Sequence, residues 1–118
     1  MTITENENSF KLGTKKKELL RQGMDYLRRS YSDFNPETGE RAMSEVYKLI
    51  GKYAQADPKS IDTRLIAELG LDSLEFVEMQ MELEDNLDII VQDSEWVDIR
   101  NDITMRAISN IAYQKLKN

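Results

Sequence analysis

Leu20, Met24, Leu27 and Tyr31 recur at steps of four, three and four, the spacing of one face of a helix, which predicts a helix from an N-cap at Thr14 to about Tyr31. Gly23 falls inside this helix and weakens it by about 1 kcal/mol relative to Ala. Ser32 to Gly39 is dense in turn residues, and Pro36 disfavours helix at Asn35, so a linker is expected over 32–39. A second helix is predicted from Glu40, with Met43, Val46, Leu49, Ile50 and Tyr53 on its apolar side, ending near Ala56 before Asp57-Pro58.

Lys59 to Leu71 carries Ile61, Leu65, Ile66, Leu69 and Leu71, too many apolar residues for a free loop, so it should pack over the core with a helical turn near Arg64 to Glu68. Gly70 supplies backbone freedom for the turn into a third helix, which opens at Asp72-Ser73 and runs to about Asn86 with Phe76, Met79, Leu83 and Leu87 inward. Ile89-Ile90-Val91 then returns to the core, Asp93-Ser94 begins a short helix with Trp96, Val97 and Ile99, and Thr104 caps a last helix with Met105, Ile108, Ile111, Ala112 and Leu116 inward. There is no strand alternation and no internal repeat. The pattern describes an all-α protein: a flexible N-terminus over 1–13, a basic amphipathic helix over 14–31, the linker, and a helical body over 40–118.

At 118 residues the chain has room for one core, which excludes a multi-domain enzyme. Charge divides it further. Lys11 to Tyr31 holds seven basic and two acidic residues, a net of +5, whereas Ser32 to Asn118 holds nine basic and 18 acidic, a net of −9. A body of that sign repels nucleic-acid phosphates and anionic membranes and attracts basic protein surfaces. Neither nucleic acid nor a membrane is therefore expected as a partner, and the opposite charges favour docking of the N-terminal helix on the body, within one chain or swapped across a dimer. A monomer or weak dimer is the expected state. The first ten residues lack the apolar stretch of a signal peptide, so a cytoplasmic location is expected.

The chain has no Cys and no His. Disulfides, thiolate nucleophiles and zinc-thiolate sites are excluded, no metal site is expected, and neither a Ser-His-Asp nor a Cys-His mechanism can be built. Covalent chemistry would need a carboxylate or Ser-Lys arrangement, or a reactive group attached from outside.

The segment Leu69-Gly70-Leu71-Asp72-Ser73-Leu74-Glu75-Phe76-Val77-Glu78-Met79-Gln80-Met81-Glu82-Leu83-Glu84-Asp85 concentrates the candidate chemistry. Asp72 with Glu75 three residues on is a capping box that would stabilise any helix by about 0.5–2 kcal/mol and needs no function. Beside it stand a Leu-Gly turn, a Ser hydroxyl at a helix start, and a helix carrying Glu75, Glu78, Glu82, Glu84 and Asp85. With these residues, Glu40 to Lys117 resembles the acyl carrier protein family, whose members bear a phosphopantetheine arm on the Ser of an Asp-Ser-Leu motif.

The resemblance implies an acyl-carrier-protein-like four-helix bundle with an extra N-terminal helix, acting as a carrier and not as an enzyme. It implies that Ser73, flanked by Asp72 and Leu74, receives phosphopantetheine from coenzyme A through a phosphopantetheinyl transferase. The arm's thiol would then hold acyl groups as thioesters for fatty-acid, polyketide or related synthesis. An aminoacyl or peptidyl carrier, or an unmodified interaction module of the same fold, stands as the alternative. The family's docking helix maps onto Glu75, Val77, Glu78, Met81, Glu82, Glu84 and Asp85, facing transferase and acyl-processing enzymes with basic surfaces, although an acidic row on a helix can equally be a solvated face. Phe76, Met79, Leu83 and Ile108 are the candidates to line an acyl cavity. Phe76 and Gln80 depart from the family's usual residues, Gln92 stands where Pro is frequent, and the N-terminal helix has no counterpart in it.

Overall fold

The computed structural model describes residues 3–54, 58–100 and 103–118, with side chains from residue 15 onward. Among the described residues it is all-helical: α1 (Ile3–Ser30), α2 (Pro36–Ala54), α3 (Ser73–Leu87), α4 (Asp93–Ile99) and α5 (Met105–Lys117). The helix expected from Thr14 begins at Ile3, and Thr14 lies within it. Residues 3–13 contain no Pro to stop a helix, and Glu5 and Glu7 sit where negative charge suits a helix start. The expected linker also shortens, because α2 starts at Pro36 rather than Glu40. Pro is suited to the first helical position, and the Asn35 carboxamide oxygen accepts from the Thr38 N–H at 3.1 Å, capping the helix. Ala56, the expected end of α2, lies outside the described residues.

α2 and α5 pack together, with α1 and α3 each lying against both. One hydrophobic cluster runs through the molecule, from Leu19 and Leu27 of α1 through Met43, Val46, Leu49 and Ile50 to Phe76, Met79, Leu83, Ile108 and Tyr113. The N-terminal helix is thus docked on the body, as expected, but among the described residues its ion pairs do not reach the body. Arg21 pairs with Glu18 and Asp25, and Arg28 with Asp25, all on α1 itself. The contact with the body is built on buried apolar side chains, with polar contacts such as the Lys15 Nζ donating to the Lys59 C=O at 3.0 Å added at its edge.

The buried face of α1 is centred on Leu19, Gly23 and Leu27, with Leu20, Met24 and Tyr31 only partly covered. Gly23 is more than a weak helix former there. A Cβ at this position would stand 1.9 Å from the Met43 Cε, so its absence lets α2 come close. At the α1–α2 turn Tyr31 and Phe34 rest on the buried Tyr113 ring at centroid distances of 4.8 and 5.5 Å. The Tyr113 hydroxyl accepts from the Asn35 N–H at 2.9 Å, and the Tyr31 hydroxyl donates to the Asn110 Oδ1 at 2.6 Å.

Before α3 the chain packs over the core as expected through three of its five apolar residues, while Leu69 is partly buried and Ile66 is exposed. Ile61, Leu65 and Leu71 are buried, and the Glu68 N–H donates to the Arg64 C=O at 2.9 Å, a single helical turn. After α3 the return to the core alternates: Ile89 and Val91 are buried while Ile90 is exposed.

Candidate functional site

The start of α3 is built by its own residues. Gly70 takes a φ of +74°, a conformation glycine adopts without steric cost, and the Leu71 N–H then donates to the Leu65 C=O at 3.1 Å, anchoring the chain two residues before Ser73. Asp72 is the extended N-cap. Its carboxylate accepts from the Glu75 N–H at 2.7 Å, and the Glu75 carboxylate accepts from the Asp72 N–H at 3.0 Å, so the capping box is complete. Since Asp72 does the capping, Ser73 is left exposed as the first residue of α3, and its hydroxyl makes no hydrogen bond among the described residues. Leu74 beside it is 67% exposed.

An exposed, unengaged hydroxyl at the positive end of a 15-residue helix suits the expected prosthetic group, whose link to the protein is a phosphodiester. Among the described residues no cluster of His, Cys, Asp or Glu is placed to hold a metal ion.

The acids that share α3 have separate tasks. Glu75 closes the capping box. Glu82 accepts from the Lys52 Nζ at 2.6 Å and from the Tyr53 hydroxyl, both on α2. The Lys52 contact, chiefly, holds the Glu82 carboxyl below the usual carboxylate range, and the same hydrogen bonding raises Lys52 and Tyr53 above theirs. Glu84 is partly buried and accepts from the Val91 N–H at 3.1 Å, fixing the chain after the helix. Glu78 and Asp85 remain exposed, and beside them runs an apolar stripe of Leu74, Val77 and Met81, the last 61% exposed. The outer face of α3 is therefore apolar with two outlying acids rather than a row of five free carboxylates. Lys52 and Tyr53 leave no pattern in the sequence that pairs them with Glu82.

The four residues expected around an acyl chain, Phe76, Met79, Leu83 and Ile108, are brought together in the core, each no more than 3% exposed. Phe76 meets the buried Trp96 edge-on at 5.8 Å, and the Trp96 Nε1 has no partner among the described residues.

A family model described as a phosphopantetheine attachment site matches residues 44–101, from the middle of α2 to just beyond α4. No solved structure matches the chain.

Proposed function

Residues 44–101 are a phosphopantetheine-attachment domain, a carrier rather than a catalytic domain, and from that premise we propose that Ser73 bears the arm and that the chain carries acyl groups. One observation supports the assignment above the rest: with the cap taken by Asp72, the Ser73 hydroxyl is exposed and uncommitted at the helix start. Glu78 and Asp85, with Leu74, Val77 and Met81, form the face a transferase or an acyl-processing enzyme with a basic surface would meet. When bound, the arm supplies the terminal thiol that this Cys-free chain lacks. The protein's own part is to present Ser73, to dock partner enzymes through α3, and to shelter apolar cargo near Phe76, Met79, Leu83 and Ile108. The cargo read from these residues is an acyl chain for fatty-acid, polyketide or related synthesis.

Intact mass after incubation with coenzyme A and a broad-specificity transferase tests the reading. The wild type should gain one phosphopantetheine and Ser73→Ala none. No gain by the wild type, or an equal gain by the alanine variant, overturns it.

A further inference from the structure

The stretch that leads into Ser73 is tied at its far end to both α1 and α5. The Ile61 N–H donates to the Gln22 Oε1 at 3.4 Å, and the Ile61 C=O accepts from the Arg106 N–H at 2.9 Å. The Arg106 guanidinium then grips Asp62 with both arms, Nε at 2.6 Å and Nη2 at 2.9 Å, while lying 4.6 Å over the Tyr26 ring of α1. A planar fork on a carboxylate fixes direction as well as distance, and the aromatic face holds the fork from behind. From this clamp the loop runs to Ser73 through further bonds. The Leu65 N–H donates to the Ile103 C=O at 2.9 Å, and the Leu71 N–H to the Leu65 C=O at 3.1 Å.

Exposure argues that the clamp is not there to hold the core. The Asp62 side chain is 58% exposed and that of Arg106 39%, and exposed ion pairs add little to global stability. Open grooves flank it, with Tyr26, Asp62 and Arg106 lining both. What the clamp does is join three elements at the root of the loop that ends at Ser73.

We propose that Arg106 is a positioning residue for arm attachment, holding the 61–71 loop against α1 and α5 so that Ser73 is presented in one orientation to the transferase. The role rests on the reading of Ser73 as the attachment residue. It makes the N-terminal helix, through Tyr26 and Gln22, a contributor to loading although Ser73 stands on α3.

The test is steady-state transfer from coenzyme A to the full-length chain, with the carrier as varied substrate. Arg106→Ala and Asp62→Ala should each lower kcat by about tenfold, because small misplacements of a reacting group are costly, while KM stays within about twofold because Glu78 and Asp85 are untouched. Amide exchange should quicken over Leu69 to Leu74 and stay unchanged in α2. The exchanged pair, Arg106→Asp with Asp62→Arg, should recover most of the loss. Unchanged kcat in both single variants, a loss confined to KM, or no recovery by the exchanged pair overturns the role. If Arg106→Ala fails to fold, Asp62→Ala, which alters only an exposed side chain, decides alone. A wild type that gains no arm overturns the Ser73 reading and this role with it; a wild type that loads, with variants that load equally, overturns the role only.

Discussion

At the scale of single residues, neighbouring groups on α3 take different work because their environments differ. Asp72 accepts a backbone N–H and Ser73 does not, so the acid closes the helix and leaves the hydroxyl outside. Glu82 differs from Glu78 in the same way, since Glu82 is the one hydrogen-bonded to Lys52 and Tyr53. Its lowered folded pKa gives a pH signature. The stability from the Lys52 contact is fully present above the carboxyl's unfolded value and drains away as pH falls through the lower folded value. Wild type should therefore melt above Glu82→Gln at neutral pH, with the difference shrinking below the ordinary carboxylate range. Melting curves at stepped pH check this, and a difference constant down to pH 2 would contradict it.

At the scale of elements, α1 is part of the core rather than an accessory. An isolated helix gains little from its own hydrogen bonds in water, so the Leu19–Gly23–Leu27 face owes its stability to Met43 and its neighbours. Leu27→Ala, at a fully buried position, should cost about 2–5 kcal/mol in chemical denaturation, a range set by how far the site can collapse. A single cooperative transition is expected with it, because one cluster spans α1 and the body. A loss below about 0.5 kcal/mol, the scale of an ordinary surface substitution, would mean that α1 is held by something other than this face.

At the scale of the whole molecule, α1 and α3 each lie against the α2–α5 pair, so the bases of α1 and the acids of α3 stand on different helices. α1 is about 42 Å long at 1.5 Å per residue, close to the longest dimension of 46 Å, and its exposed bases among the described side chains run from Lys16 to Arg29. α3 carries no basic residue at all. A basic partner is therefore steered toward one region, and steering weakens as the Debye length falls from about 10 Å at 0.1 M salt to about 3 Å at 1 M. Replacing Glu78 and Asp85 with Lys should slow arm attachment mainly through association, and the double variant should lose less rate to added salt than the wild type. Equal rates and equal salt dependence would make these acids a solvated face. No helix among the described residues is long and apolar enough to cross a membrane.

Local chemistry by itself determined the helical class, the apolar rows of α2, α3 and α5, the caps at Asp72 and Thr104, the turn at Gly70 and the place of Ser73 at a helix start, because each depends on residues within four positions of one another. The same rules placed two helix starts too late. Thr14 is a permissible cap that the chain passes through, and Pro36, which disfavours helix at Asn35, is itself the first residue of α2. What only the tertiary structure decided are contacts between positions far apart in the chain. Gly23 accommodates Met43, Glu82 is hydrogen-bonded by α2 while Glu78 stays exposed, Arg106 reaches Asp62 and Tyr26, and the α1 leucines meet the core of the body. The physical reason is geometric: periodicity fixes which face of a helix is apolar, but which side chain on the next helix meets it depends on the helices' relative placement, which no local spacing encodes.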